Sequence, residues 1–498
     1  MLFLIDIGTS NFKAALADYD GKILRAVSLP LAIHFLGGGR CETDPALWLR
    51  AFEEAAAVLA PLSSVQALLI SGNGPTVVPV TGVPSPKAGK LALDAAAARL
   101  WLDRRAGAEA ETVSAAMGAY IDPSFFLPKI LSVKVREQAL YEKTRCFLAA
   151  PEYLVYALTG EARTVFPSRG FDLWYWNDRA LEKLGLPGEK LPPFVFPGDE
   201  IGTLLPAVRT AFGFTSPVRV FAGGPDFFVS ILGTGTVRPG QACDRSGTSE
   251  GFNVCTSERI TDPRLMSYGH PVKGYWNLSG IISTTGKAVD WCRGIMGTGI
   301  DYDSFYALAE KSAPGAGGVV FLPYLAGERA PLWNPKAKGV FVGLSLETGR
   351  EEIARSVAEG ICFALRDVAT VMEELEAPVS EIRVSGGTAG RDLLNQLKAD
   401  IMGKPVLLPG ARSCAGPDAG AGISGQFEAE LTGLAALGAA ALGKYALVSE
   451  AAEAMVTVRA EYYPRTGYAE KYAGLFYEFR ELYRALKPSF ERISVLGY

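Results

Sequence analysis

The chain carries the same short device twice. Near its start, Leu4-Ile5-Asp6-Ile7-Gly8-Thr9-Ser10-Asn11 runs into Phe12-Lys13-Ala14-Ala15-Leu16: an apolar strand, a Gly-Thr-Ser turn, and a second strand leaving it. Far downstream, Asp244-Arg245-Ser246-Gly247-Thr248-Ser249-Glu250-Gly251-Phe252 repeats that layout. A hairpin of this kind turns backbone N–H groups and hydroxyls outward, the donor arrangement that phosphate oxygens accept. Glycine in the turn lets backbone approach a phosphate where a Cβ would clash. Two copies predict two related domains, each with its own phosphate loop. The strand–turn–strand pattern restarts after Pro239-Gly240, which sets the expected domains at residues 1–240 and 241–498.

Length agrees, since 498 residues exceed what one hydrophobic core organises. With 49% apolar and 20% charged residues the chain has the balance of a folded globular protein. The net charge is −4 and no basic stripe occurs, so a nucleic-acid partner is not expected. No apolar stretch reaches membrane-spanning length, and Met1 leads straight into a strand rather than a secretory leader. Seven scattered cysteines without a Cys-x-x-Cys pair argue against structural zinc and for reduced thiols, hence a cytoplasmic setting. The two histidines, His34 and His270, stand apart and read as loop or packing residues.

Strands are expected at 1–7, 12–18, 65–71 and 76–80, with helices at 44–59 and 95–117. Asp44 and Pro45 form the start signal of the first helix. A strand at 218–222 runs into Gly223-Gly224-Pro225-Asp226, and a helix follows over 227–232. The second half adds a strand at 382–385 and helices at 350–375, 391–402, 428–442 and 468–486. Such alternation predicts an α/β fold. The Gly/Ala/Pro-rich run 410–425 is expected to be a surface insert. It contains a formal G-x-G-x-x-G at 420–425, but no strand precedes it, which argues against a dinucleotide site.

Further motifs carry a resemblance. Leu322-Pro323-Tyr324-Leu325-Ala326-Gly327-Glu328-Arg329-Ala330-Pro331 and Gly339-Val340-Phe341-Val342-Gly343-Leu344 are similar to the C-terminal signature of the FGGY carbohydrate kinases. Matching pieces in the family's order are Leu100-Trp101-Leu102-Asp103-Arg104-Arg105, Pro128-Lys129-Ile130-Leu131, Gly223-Gly224-Pro225-Asp226 and Ser385-Gly386-Gly387-Thr388. The resemblance spans nearly the whole chain. It implies two actin-like (ribonuclease H-like) domains with an interdomain active-site cleft. It also implies ATP and Mg²⁺ as cofactors and phosphoryl transfer to a sugar hydroxyl.

Carried onto this sequence, the resemblance makes Asp226 the catalytic base, taking the proton of the attacking hydroxyl. Read on its own, Asp226 serves equally well as the N-cap of the helix that follows. Asp6 would meet Mg²⁺ through water. Thr9 and Ser10 from the first loop, with Gly247 and Thr248 from the second, would meet the phosphates. Gly286, Asp290, Gly386, Gly387 and Arg391 would line the nucleoside. The run Ser283 to Asp290 is not a P-loop, because Ala288 stands where a Ser or Thr must hold the metal.

The sugar is less constrained. Phe227 and Phe228 follow Asp226 where the family often has an amide. Ile70-Ser71-Gly72-Asn73-Gly74-Pro75-Thr76 lacks both the Met-His pair of many xylulokinases and the Arg-Glu clamp of glycerol kinases. Asn73 and Asp103 remain as hydroxyl ligands and Trp101 as a stacking wall, against readings as turn, surface and core residues. A ketopentose such as xylulose is the expected substrate, with ribulose, another ketose, a polyol or an aldonate as alternatives. An actin-like or chaperone-type ATPase is the rival from a different class. A homodimer is left open.

Overall fold

The computed structural model describes residues 1–86, 90–411 and 428–496. It divides into two compact units: Met1–Gly233 with Ala411–Thr457, and Thr234–Gly410 with Val458–Tyr498. Among the described residues no helix is long and apolar enough to cross a membrane. The expected insert at 410–425 lies, beyond Ala411, outside the described residues.

A six-stranded sheet organises the first unit, in the order Glu200–Thr203, Arg219–Pro225, Ala67–Gly72, Leu2–Ile7, Asn11–Ala17, Ile23–Pro30. Every residue of Leu2–Ile7 is buried. On one side it pairs antiparallel with Asn11–Ala17, and on the other parallel with Ala67–Gly72, which pairs parallel with Arg219–Pro225. Helix Ala46–Val58 buries Trp48 and Phe52 against this sheet, with Phe52 stacked on Phe3 at 5.8 Å. The register aligns the strand ends. Asp6 lies opposite Ser71, and Ser71 opposite Gly224, so three parallel strands finish together.

The second unit repeats the local plan in a seven-stranded sheet. Its order is Met266–Gly269, Trp276–Ile282, Glu250–Thr256, Gln241–Ser246, Glu381–Gly386, Val406–Ala411, Val456–Tyr462. Gln241–Ser246 again has an antiparallel hairpin partner on one side and a parallel strand on the other. The hairpins are not identical. In the first, Ile7 pairs with Phe12 and Gly8 N–H donates to Asn11 O. In the second, Ser246 pairs with Glu250 and Gly247 N–H donates to Ser249 O, a turn one residue tighter. Helix Arg350–Glu374 crosses the core of this unit, and helix Ala469–Val495 docks through Tyr472, Phe476, Phe479, Tyr483 and Phe490.

Three features depart from expectation. The units divide at Gly233 rather than 240, and Ala411–Thr457 returns to the first unit although the sequence pattern assigns it to the second. The cause is helix Ala429–Ala441, buried on all sides by its Ala and Gly content. It crosses helix Asp226–Gly233 at backbone contact: a Cβ on Gly233 would stand 1.7 Å from Ala429 O, and one on Gly433 1.9 Å from Val229 O. Finally, the helix expected at 95–117 begins only at Gly107. Ahead of it Ala98–Arg99 is a short strand, because two buried polar groups outweigh the helical propensity of the alanines. Arg99 donates to Lys129 O at 2.9 Å, and Asp103 accepts from Cys41 N–H at 2.8 Å.

The crossing makes a signed prediction. On propensity alone Gly433→Ala would stabilise a helix by about 0.8–1 kcal/mol. Here the added methyl meets backbone, and overpacking costs about 1–3 kcal/mol or more. Gly433→Ala is therefore expected to lower the urea midpoint, and a midpoint at or above wild type would contradict the crossing.

Candidate active site

The three parallel strands of the first unit end together at Ile7, Gly72 and Pro225, and polar residues gather around those ends. Asp6 is buried and its Oδ1 accepts the Ser71 hydroxyl at 2.8 Å. Burial, then the charges of Glu430 and Asp226, push its pKa up to about 7 against the pull of Lys13 and Ser71. Burial opposes the Lys13 ammonium, but Glu428, with which it forms an ion pair, Glu430 and Asp6 together hold its pKa above the usual value. Asp226 opens its helix, and its Oδ1 accepts the N–H of Phe227 at 2.6 Å. So Asp226 does sit at a helix start, and it also stands within electrostatic reach of Asp6. The Phe227 ring lies 5.9 Å from Phe171 and 5.8 Å from Trp174, which stacks on Phe125 at 4.9 Å. An aromatic cluster thus gathers around Phe227, the residue that follows Asp226.

Asn73 spends both ends of its amide within the loop. Nδ2 donates to Ile7 O at 3.0 Å and Oδ1 accepts from Thr76 Oγ1 at 2.6 Å. Asp103 is fully buried and accepts from Cys41 N–H and from Arg105 Nε at 2.9 and 3.0 Å. Burial resists its ionisation, but the Arg105 and Cys41 hydrogen bonds prevail and hold its pKa below the usual carboxylate value. Buried Lys129 donates to Pro75 O at 2.8 Å and Leu100 O at 2.6 Å, and burial pushes it down to about 7. These groups brace the loops, whereas half-buried Trp101 donates through Nε1 to Thr9 Oγ1 at 2.9 Å. That bond fastens the predicted stacking wall to the first Gly-Thr-Ser loop.

In the second unit the predicted phosphate and nucleoside residues come together at one end of the sheet. Thr285 N–H and Gly286 N–H donate to Thr248 O and Gly247 O at 3.2 and 2.9 Å. Gly387 N–H donates to Ser246 O at 2.9 Å. At Gly386 φ is +84°, and a Cβ there would lie 2.0 Å from Ser246 O. Thr248 stays exposed. Asp290 accepts from Tyr302 Oη at 2.6 Å and Arg293 Nη1 at 3.0 Å. Arg391 pairs with Asp303 and lies 5.4 Å above the Tyr306 ring. Both therefore meet helix Tyr302–Lys311, which no sequence motif places at the site.

The signature loop has a structural task. Glu328 Oε1 accepts the N–H groups of Ser283 and Arg329, each at 2.7 Å, and burial pushes its pKa up to about 7. This pins the loop to the strand end just before Thr285. Lys13 and Glu430 also escape sequence reasoning. Their signals are a lysine inside an otherwise apolar strand and a glutamate opening an Ala/Gly-rich helix. Among the described residues no group of three His, Cys, Asp or Glu converges to hold a metal. The excess of negative charge around buried Asp6 still fits a cation that brings most of its own ligands.

Known proteins resemble the chain in sequence and in fold. Residues 1–233 match the N-terminal domain model of the FGGY family of carbohydrate kinases, and residues 245–416 match its C-terminal domain model. The xylulose kinase of Escherichia coli strain K12 is 30% identical, over 81% of this chain and 85% of its own. That of Bacillus subtilis strain 168 is 27% identical, over 97% and 96%. In fold, the structure of ligand-bound xylulose kinase from Lactobacillus acidophilus superposes with a TM-score of 0.83 at 24% identity, covering 99% of this chain and 100% of that one.

Asp103 offers a test of bracing against ligand binding. Removing one partner of a buried charge pair costs about 3–5 kcal/mol. Asp103→Ala should lose stability of that order at neutral pH. The native state favours the ionised carboxyl, so this contribution is present above the usual carboxylate pKa and fades as pH falls through the lower native value. Chemical denaturation at neutral and acidic pH measures it. Unchanged stability at neutral pH would show that Asp103 is no brace.

Proposed function

The chain belongs to the FGGY family of carbohydrate kinases, and from that premise we propose that it transfers the γ-phosphate of ATP to a hydroxyl of a ketopentose, with xylulose the first candidate. Two xylulose kinases matched along most of their length support this choice of sugar. The observation that carries the reading is Asp226 beside Asp6 at the strand ends of the unit that bears the first Gly-Thr-Ser loop.

In this reading the first unit holds the sugar, with Trp101 and the wall of Phe125, Trp174 and Phe227 against its C–H face. Asn73 and Asp103 shape the pocket floor. The Asp226 carboxylate orients the attacking hydroxyl and takes its proton as the oxygen bonds to the γ-phosphorus, while the bridging oxygen leaves with ADP. Thr9, Ser10 and Thr248 donate to the phosphates, and Gly247, without a Cβ, lets the second loop come close to them. Gly286, Asp290, Gly386, Gly387 and Arg391 line the nucleoside. Mg²⁺ carried in by the nucleotide would be held through water at Asp6, neutralising charge on the phosphates. Holding reactants in place and stabilising charge supplies most of the rate in such transfers. The six described cysteines are buried thiols rather than disulfides, which supports a reducing, cytoplasmic setting.

A coupled ADP-release assay over xylulose, ribulose, hexuloses, polyols, aldonates and glycerol tests the proposal. ATP turnover is expected to depend on added sugar, with xylulose highest in kcat/KM and glycerol poor. Sugar-independent turnover would indicate a conformational ATPase, and a preference for glycerol over every longer compound would overturn the substrate class.

A further inference from the structure

Beneath the second phosphate loop lies a buried ionic group with no part in the chemistry of phosphoryl transfer. Lys398, on helix Asp392–Met402, donates from Nζ to Asp244 Oδ2 at 2.5 Å and to Glu250 Oε1 at 2.6 Å. All three side chains are at most 1% exposed. Asp244 belongs to the strand that enters the loop, and Glu250 opens the strand that leaves it. The same helix begins directly after Arg391, on the segment that carries Gly386 and Gly387. We propose that Lys398, clasped between Asp244 and Glu250, is the positioning residue of this loop, locking both of its feet to the helix that follows the nucleoside segment. The inference rests on the reading of the loop of Gly247 and Thr248 as a phosphate loop.

The clasp is not the counterpart of Asp6. When the two Gly-Thr-Ser turns are aligned, Arg245 takes the place of Asp6, and Asp244 falls on the opposite face of its strand. From that face it points into the core rather than toward a ligand.

Charge balance shows how the group is tolerated. Two carboxylates and one ammonium would leave a negative charge buried under a loop meant for polyphosphate. Asp244 Oδ1 and Glu250 Oε2 have no hydrogen-bond partner among the described residues. One proton shared between them satisfies both and makes the group neutral. Burial, then Glu250, hold Asp244 well above the usual carboxylate pKa, so the proton resides mainly there. Burial opposes ionisation of Glu250 too, but Lys398 outweighs it and keeps Glu250 ionised. An apolar cluster of equal volume would stabilise the fold as well as such a group does. What a double-ended ion pair adds is a fixed register between two strands and a helix.

The test uses the full-length protein and titrates MgATP without sugar, with xylulose titrated separately. The neutral triple variant Asp244→Asn, Glu250→Gln, Lys398→Met leaves no unpaired ion behind. It should fold and bind MgATP about tenfold or more weakly, the scale of one lost hydrogen bond to a charged group, while xylulose affinity holds within about twofold of wild type. Thr248→Val is the control for the loop. Weakened MgATP binding in Thr248→Val with wild-type binding in the triple variant overturns the positioning role alone. Wild-type binding in both overturns the loop reading and the inference with it. Loss of soluble protein in the triple variant, or equal losses of xylulose and MgATP affinity, would make the clasp a folding element and overturn the proposal too.

Discussion

Buried negative charge beside the Gly-Thr-Ser turn governs both units, and each resolves it differently. In the first, Asp6 lies among Glu430 and Asp226, and Lys13 offsets only part of the cost, so Asp6 is driven up to about 7. An environment of that kind favours a cation from outside. In the second, Lys398 sits between Asp244 and Glu250 and, with one proton shared by those carboxylates, settles the charge internally. The group beneath the loop is then free of net negative charge, and the loop presents the exposed Thr248. In the proposed reading the first of these takes a hydrated metal and a hydroxyl about to lose its proton, and the second takes polyphosphate.

Holding such groups in place requires rigid supports. Helix Asp226–Gly233 is clamped by helix Ala429–Ala441 at a crossing where no side chain intervenes, so the first residue of the former has little freedom to drift. Trp101 ties the loop around residues 100–105 to Thr9, and Lys129 ties the same loop to Pro75. In the second unit the hydrogen bonds from Thr285, Gly286 and Gly387 lace three chain segments into one rim.

What the sequence disclosed was local in origin. Both hairpins, the helix beginning at Asp226 and the aromatic stripe of the last helix follow from spacing within a few residues. The last helix nevertheless continues through Pro488 to Val495, past the expected end at 486. Long-range pairing was hidden. Nothing in Glu428 to Leu442 reveals that Gly433 meets Gly233, and so the return of Ala411–Thr457 to the first unit was missed. The alanines at 95–97 spoke for a helix that buried Arg99 and Asp103 prevent. Lys398 carries no local signal, because its two partners lie 154 and 148 residues away. Helix Tyr302–Lys311 carries no motif, and only the contacts of Asp290 and Arg391 place it at the site.

The central claim is that Asp226 takes a proton rather than merely starting a helix. Asparagine caps a helix nearly as well as aspartate but is no base at neutral pH. The decisive measurement is the steady-state kcat of Asp226→Asn with xylulose and MgATP, taken beside its MgATP affinity and denaturation midpoint. General-base catalysis predicts a fall in kcat of about 10²–10⁴-fold with the other two close to wild type. Near-normal turnover would contradict the account.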